Sequence, residues 1–320
     1  MKRNIIIVVS VIIMIMALSA GCAKKNAADT GKMKIGGLKG PTTMGLVQIA
    51  ENSEKYEFKM AAAADEITPL LLKGELDAAA IPANLAAALC AKSEGALKVI
   101  AVDTLGVLYI AEKGGNDIQK ISDLKGKTIY ATGKGTTPEY CLKYLVSRAG
   151  VDPEKELKIV WKSEPSEVVA ELAANDKGIA MLPQPFATVA ATQLENFRIA
   201  IDMNKEWDAL ENGSRMVTAV IVARKDFIEK NPRKTEEFLE DFEKSVDFVN
   251  NNTDEASQLI EKYGIVKAAI AKKALPFCNI VSLTGAEMKT ALSGYLQILF
   301  EQNPASVGGK MPADDFYYAR

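Results

Sequence analysis

Residues 66–89 read EITPLLLKGELDAAAIPANLAAAL, and residues 167–190 read EVVAELAANDKGIAMLPQPFATVA. The two segments align at an offset of 101 without gaps, and five of 24 positions are identical: Glu66/Glu167, Leu71/Leu172, Ala79/Ala180, Pro82/Pro183 and Ala86/Ala187. Both patterns predict a helix, a tight turn, an apolar strand and a Pro-led loop into another helix. The chain is therefore expected to contain the same α/β unit twice.

A second pair of segments occurs in the same order and supports the repeat. IGGLKGPTT (35–43) aligns with IYATGKGTT (129–137), and each predicts a strand end, a Gly/Lys turn and a Thr pair that opens a helix. The first half alternates strands with helices, the strands at 34–37, 56–61, 77–81 and 97–102 and the helices at 44–53, 67–73 and 84–92. Such alternation predicts an α/β fold of two doubly wound lobes, each with a mostly parallel sheet.

The two lobes are not expected to be contiguous in sequence. GVLYIAEKGG (106–115) leads towards the second lobe, SRMVTAVIVAR (214–224) leads back, and residues 225–302 show helical periodicity typical of helices packed on the first lobe. The prediction is a first lobe of residues 34–112 and 216–320 and a second lobe of 113–215. The two adjacent crossovers would form a two-strand hinge beside a cleft.

The N-terminus has the pattern of a targeting segment. Lys2 and Arg3 precede the 14-residue stretch Ile5–Leu18, which is apolar except for Ser10 and too short for a membrane span. The small residues that follow, with Cys22, resemble a bacterial lipobox, although Ser19 replaces the commonest Leu. We expect a signal peptide at 1–21, a lipid such as palmitate on Cys22 and a polar tether at 22–33; a plain secretory signal is the alternative.

Composition argues against several classes of function. The 320 residues carry a formal net charge of −2, so no nucleic-acid partner is expected. Histidine is absent, which removes imidazole as a general base or metal ligand, and no catalytic constellation is found. We expect no enzyme activity, no cofactor and no metal. Cys90, Cys141 and Cys278 form no CxxC pair and are expected to be buried apolar residues.

The Gly-rich loop at 133–137 suggests an anion site rather than a nucleotide site. Gly135 follows Lys134 where a P-loop needs Ser or Thr, and Pro138 stands where a dinucleotide fingerprint needs its last Gly. Thr137 instead suits a helix N-cap, with Pro138 as the first helical residue. Hydroxyl and N–H donors at a helix N-terminus bind small acceptor-rich groups such as sulfonate, carboxylate or nitrate.

Matching groups are expected at the ends of other strands, where open α/β sheets bind ligands. The first lobe offers its own Pro-Thr-Thr turn, and three further polar side chains follow predicted strands. The candidate binding residues are Pro41, Thr42, Thr43, Asn84, Thr104, Gly135, Thr136, Thr137 and Gln184. A purely structural role, as a helix cap or a bridge between loops, remains an alternative for each of them.

Several motifs together resemble a known family. KGPTTMG, GELDAAAIPANLA, DLKGKTIYATGKGTTPEY, MLPQPFA and the closing FYY, with Cys22, are similar to the solute-binding lipoproteins of ABC importers. The resemblance spans about residues 34–318 and points to the nitrate, sulfonate and taurine branch, which includes binding proteins for thiamine-pyrimidine precursors.

The resemblance implies a type II periplasmic-binding-protein fold that traps a small-molecule ligand between two lobes. It also implies an extracytoplasmic monomer held at the membrane by its lipid, and an ABC permease with its ATPase subunit as partners. The pocket loops would be 41–43, 82–84, 135–137 and 183–185. Family members often carry Glu or Trp where this chain has Gln184, and a neutral Gln favours an anionic ligand.

Three alternatives remain open at this point. In the first alternative the fold is the same but the ligand is a thiamine-pyrimidine precursor or another heteroaromatic compound. The loops contain few aromatic residues, which argues against it. A pyrimidine-synthesis-type enzyme on this architecture is disfavoured by the secretion signal and by the absence of His. The third alternative is a receptor domain that signals without transport.

Overall fold

The computed structural model describes residues 31–320, so the predictions for the signal peptide at 1–21 and for Cys22 lie outside the described residues. Most of the predicted tether at 22–33 lies outside them too, and the first strand begins at its last residue, Met33. Within residues 31–320, no helix combines the length and the apolar character that a membrane crossing requires.

The strands and helices follow the predicted alternation. The strands are β1 (Met33–Leu38), β2 (Tyr56–Ala61), β3 (Ala78–Pro82), β4 (Leu97–Leu105), β5 (Leu108–Lys113), β6 (Thr128–Ala131), β7 (Lys158–Trp161), β8 (Gly178–Pro183), β9 (Phe197–Asp202), β10 (Val217–Arg224) and β11 (Ile280–Leu283). The helices are α1 (Pro41–Met44), α2 (Val47–Glu51), α3 (Ala64–Lys73), α4 (Ala83–Lys92), α5 (Thr137–Arg148), α6 (Pro165–Ala174), α7 (Phe186–Gln193), α8 (Met203–Asp208), α9 (Lys225–Lys230), α10 (Pro232–Asn251), α11 (Thr253–Lys262), α12 (Ala268–Ala274) and α13 (Gly285–Gln302).

The strands form two sheets with matching topology. The first sheet has the order β11-β4-β10-β3-β1-β2, and the second has the order β7-β6-β8-β5-β9. The two orders match when the first sheet is counted from β2 and the second sheet from β7. Strand β1 then corresponds to β6, β3 to β8, and β4 to β9. The aligned sequence segments become α3-β3-α4 in one sheet and α6-β8-α7 in the other. The predicted repeat and the two-sheet α/β fold are therefore confirmed.

One strand of each sheet arrives from the other sheet and runs antiparallel to its neighbours. β5 pairs antiparallel with β8 and β9, and β10 pairs antiparallel with β3 and β4. The sequence predicts mostly parallel sheets, and the antiparallel strands β5 and β10 follow from the crossovers; a third strand, β11, pairs antiparallel with β4 at the edge of the first sheet. A strand that enters a sheet at the edge where the parallel strands end must run in the opposite direction.

The crossovers also show where the chain changes sheet. The first lies between Leu105 at the end of β4 and Leu108 at the start of β5, earlier than the predicted division after residue 112. The second lies between Asp202 at the end of β9 and Val217 at the start of β10. The limits of the lobes as domains stay a prediction.

The helical region after β10 packs largely on the first sheet, as predicted. Helix α10 buries Phe238, Leu239, Phe242, Val246 and Val249 at spacings of one side of a helix, and they share an apolar cluster with β1, β3 and β10. Burial of these side chains supplies the main drive for this packing. The three cysteines of the described region, Cys90, Cys141 and Cys278, are buried and unpaired, which confirms that prediction.

Candidate functional site

A cavity of about 390 Å³ lies where strands of both sheets meet their crossovers. It is lined by Pro82, Asn84, Leu85, Val107, Leu108, Thr136, Thr137, Pro138, Pro183 and Thr218. Pro82 and Pro183 end the equivalent strands β3 and β8, and each pairs with the beginning of a crossover strand. The cavity therefore occupies the position at which open α/β folds bind ligands.

The second-sheet wall is the N-terminal turn of α5. Thr136 is the N-cap in extended backbone and Thr137 is the first helical residue, so the helix begins one residue earlier than predicted. The glycines before it have positive φ angles, 86° at Gly133 and 73° at Gly135, which a residue with a side chain rarely adopts. These two glycines allow the tight turn that brings both Thr residues to the cavity.

Some donors of this turn are already used within the loop. The Thr136 hydroxyl donates to the Gly133 carbonyl at 2.6 Å, and the Gly135 N–H donates to the Glu139 carboxylate at 2.6 Å. Burial alone would raise the pKa of Glu139, but Lys143 at 2.7 Å and the Gly135 N–H give a net decrease. An ionised Glu139 therefore offsets part of the positive end of the α5 dipole.

Thr137 connects the cavity to the first sheet's helical layer. Its hydroxyl lies beside the hydroxyl of Tyr295 in α13, where it offsets part of the rise that burial causes in the pKa of that tyrosine. The Tyr295 hydroxyl also lies 3.4 Å from the Cys141 sulfur of α5. A further contact joins the two regions, because the Asn303 amide donates to the Tyr140 hydroxyl at 2.7 Å.

The first-sheet wall is formed by the start of α4. Asn84 and Leu85 lie in its first turn and are partly buried. The Asn84 amide nitrogen donates to the Ser306 carbonyl at 3.3 Å, which fixes the side chain and leaves its oxygen as an acceptor. Asn84 is thus a predicted site residue that the fold does bring to the cavity.

The Pro-Thr-Thr turn of the first lobe is placed differently. Pro41, Thr42 and Thr43 lie in α1, a helix of only four residues, and none of them lines the cavity. Thr43 is 1% exposed and its hydroxyl donates to the Leu38 carbonyl at 2.6 Å. The Thr43 hydroxyl therefore bonds α1 to the end of β1 and does not face the cavity.

Thr104 is the next-to-last residue of β4 and Gln184 directly follows β8, yet both are buried and neither lines the cavity. The Gln184 side-chain oxygen Oε1 accepts from the Thr188 hydroxyl at 2.8 Å, while the side-chain nitrogen Nε2 has no partner. The Thr104 hydroxyl is also buried and lies beside the Asp103 carboxyl group, and neither makes a hydrogen bond of good geometry. Burial raises the pKa of Asp103 well above its usual range, and the nearby Thr104 hydroxyl offsets only part of that effect.

Sequence reasoning missed the apolar part of the wall. Thr218 lines the cavity, as do the apolar residues Leu85, Val107 and Leu108, of which the last two belong to the first crossover. Their apolar character resembles that of core residues, so only the prediction of a crossover at this point signals their position. Gly135 is exposed and lies next to the lining residues without being one of them.

The cavity surface is uncharged and mainly apolar. None of its ten lining residues carries a formal charge or an aromatic ring. Lys39 and Lys134 are exposed to solvent. Within residues 31–320, no cluster of acidic or cysteine side chains is suited to hold a metal ion. The arrangement therefore suits a small solute with an apolar part and a hydrogen-bonding group.

Comparisons with known proteins agree with this fold. An ABC transporter protein from Parabacteroides distasonis has 24% identity and a TM-score of 0.77, with 90% of this chain and 99% of that chain covered. The periplasmic aliphatic sulphonate binding protein SsuA from Escherichia coli has 17% identity and a TM-score of 0.71, with 90% and 92% covered. The periplasmic nitrate-binding protein NrtA from Synechocystis PCC 6803 has 14% identity and a TM-score of 0.57, with 88% and 83% covered.

The class that these similarities define is the fold of periplasmic binding proteins, as predicted from the sequence. A family model described as NMT1/THI5 like matches residues 57–256, more than half of the chain. No curated protein sequence matches the chain significantly. The chain belongs to the NMT1/THI5-like family.

Proposed function

We propose that this protein is the extracytoplasmic solute-binding component of an ABC importer. Its solute would bind in the cavity lined by Asn84, Leu108 and Thr137, between the two sheets. The single observation that carries the proposal is this cavity, which has walls from both sheets at the ends of their equivalent strands β3 and β8. The similarity of the fold to a periplasmic sulphonate-binding and a periplasmic nitrate-binding protein supports this role.

The finer proposal is a small anionic organic solute of the sulfonate, taurine or nitrate-like type. Its acceptor-rich end would lie at the N-terminus of α5, near Thr136 and Thr137, where the part of the helix dipole that Glu139 does not offset favours negative charge. Its apolar part would contact Leu85, Val107 and Leu108. Hydroxyls and N–H groups hold an anion without an ion pair, which suits later release to a permease.

The proposed mechanism is closure of two lobes about the crossovers. The lobes would follow the sheets, so we move the first lobe's limit from residue 112 to the Leu105–Leu108 crossover and keep the second near residue 216. The solute shifts the equilibrium towards the closed form by its higher affinity for that form. The permease and its ATPase subunit would then receive a monomer whose lipid at Cys22 holds it at the membrane.

The test is to identify what the protein carries. Purified protein is denatured, the released small molecules are identified by mass spectrometry, and thermal unfolding is then followed with alkanesulfonates, taurine, nitrate and pyrimidines. We expect a sulfonate-type anion to be released and to raise the unfolding temperature. A pyrimidine that raises it instead would contradict the anionic class. Failure of every released molecule to stabilise the protein would contradict the proposed role.

A further inference from the structure

Gly106, in the crossover between β4 and β5, is held at both ends by asparagine side chains. Its N–H donates to the Asn204 side-chain oxygen at 3.1 Å, and its carbonyl accepts from the Asn279 side-chain nitrogen at 2.5 Å. The preceding residue, Leu105, is also bonded to Asn279: its N–H donates to the Asn279 backbone carbonyl at 3.0 Å. Both polar groups of the residue between the sheets are therefore bonded to side chains.

The two asparagines belong to different sheets. Asn204 lies in α8, directly after β9 of the second sheet, and it is 6% exposed. Asn279 lies directly before β11 of the first sheet, at a positive φ of 46° that asparagine tolerates better than most residues. One residue of the crossover is thus bonded to each of the two bodies that the proposed closure would move.

The packing around Gly106 leaves no room for a side chain. A Cβ atom at this position would lie 2.0 Å from the Met216 Cε atom and 2.9 Å from the Asn204 side-chain oxygen. Met216 is buried and directly precedes β10, so the second crossover packs against the first at this glycine. Both crossovers are therefore in contact at one point.

The bonded glycine also fixes a wall of the cavity. Val107 and Leu108 follow Gly106 and line the cavity. The Val107 carbonyl accepts from the Gln184 N–H at 2.9 Å, which ties this wall to the end of β8. A change in the direction of the chain at Gly106 would therefore move the apolar wall and alter the angle between the sheets.

We propose that Asn204 and Asn279 are positioning residues of the solute site, an inference that rests on the proposed function. Together they hold Gly106 between the two sheets, and this pair of bonds sets the position of Val107 and Leu108. Separation of the sheets by rotation at Gly106 requires at least one of the two bonds to break. Loss of either side chain should therefore favour the more open arrangement.

The test compares side-chain removal at these positions with matched controls. Asn279→Gly keeps the positive φ and removes the donor, and its control is Asn196→Gly, another asparagine with positive φ at 54°. Asn204→Ala has Asn251→Ala as control, a helical asparagine whose side chain donates to the Asp247 carbonyl of its own helix at 2.9 Å. Hydrogen exchange of the Gly106 amide and small-angle X-ray scattering are measured on the solute-free proteins.

We expect the Gly106 amide to exchange about tenfold faster in Asn279→Gly, as expected for loss of one hydrogen bond of about 1.4 kcal/mol. The radius of gyration should rise in this variant and in Asn204→Ala, but in neither control. Because Asn279 contacts the carbonyl and not the N–H of Gly106, faster amide exchange reports coupling across the glycine. Unchanged exchange and scattering in Asn279→Gly would overturn the proposal.

A second variant at Asn279 keeps the outcome clear. If Asn279→Gly does not fold, Asn279→Asp, which retains the shape and loses the donor, is expected to give the same change in exchange. Since these readouts need no solute, failure of the proposed function would show only in the mass spectrometry and thermal-unfolding experiment. Failure of the positioning proposal would show only in the exchange and scattering.

Discussion

The two threonine loops share a Gly- and Lys-containing turn that ends in a Thr pair, yet their surroundings differ. In the second lobe, Thr136 and Thr137 open the 12-residue helix α5 and line the cavity. In the first lobe, Thr42 and Thr43 lie within the four-residue helix α1, outside the lining. A shared Thr pair therefore fixes neither where the helix begins, at Pro41 in one loop and at Thr137 in the other, nor which way its hydroxyls face.

The cause of the difference is local packing. The Thr43 hydroxyl bonds to the Leu38 carbonyl, and a Cβ atom at Gly37 would lie 2.5 Å from that hydroxyl. The glycine of β1 thus makes room for Thr43 against the strand, whereas Gly133 and Gly135 turn the second loop towards the cavity. In the first lobe the polar groups face inwards, and Asp103 and Thr104 at the end of β4 are buried in the same way.

The largest expected effect concerns Asp103. Because its folded-state pKa is raised, the native state keeps a proton that the unfolded state releases above its usual pKa of about 3.9. Stability should therefore fall as pH rises above that value, by up to about 1.4 kcal/mol per pH unit, until the pH reaches the folded-state pKa. Asn cannot ionise, so Asp103→Asn should remove this decline.

Urea unfolding of both proteins from about pH 5 to about pH 8 measures the difference. The Asp103→Asn variant should gain stability relative to the original protein as pH rises. A constant difference over this range would mean that the inward-facing carboxylate ionises normally, and the contrast between the two lobes would weaken.

The next effect compares the two loops directly through binding. Thr137→Val should lower solute affinity by at least about tenfold, since it removes a hydroxyl from the cavity wall. Thr42→Val serves as the control and should change affinity by less than about twofold, because Thr42 does not line the cavity. Titration calorimetry with the solute identified by mass spectrometry gives both values. Equal losses in the two variants would make the loops functionally alike.

The smallest effect concerns stability in the first loop. Thr43→Val keeps the side-chain shape but leaves the Leu38 carbonyl without its donor, so we expect a loss of about 1 kcal/mol in unfolding free energy. Solute affinity should stay within about twofold. Denaturant unfolding and calorimetry on this variant test both statements. A large loss of affinity with unchanged stability would show that the Thr43 hydroxyl contacts the solute.

Much of the fold was predictable because the spacing of apolar residues indicates which segments form helices and which form strands. The repeated segments beginning at Glu66 and Glu167 predicted equivalent helix-strand-helix units, and the run at 214–224 predicted the return of β10 to the first sheet. The antiparallel direction of β5 was not predicted. That direction depends on where the chain crosses between sheets, which strand periodicity does not contain.

The site was only partly predictable. Asn84, Thr136 and Thr137 line the cavity as expected, since strand-end loops and helix starts carry clear sequence signals. The burial of Thr43, Thr104 and Gln184 was not predictable, because it depends on neighbours distant in the chain. Val107 and Leu108 escaped prediction because apolar residues at a crossover look the same as core residues.

The most direct test of the central claim is a crystal structure of the protein with the solute that it releases on denaturation. We expect solute density between the two sheets, in contact with Thr137, Leu108 and Asn84. Density at the first-lobe loop around Thr42, or outside the space between the sheets, would contradict it.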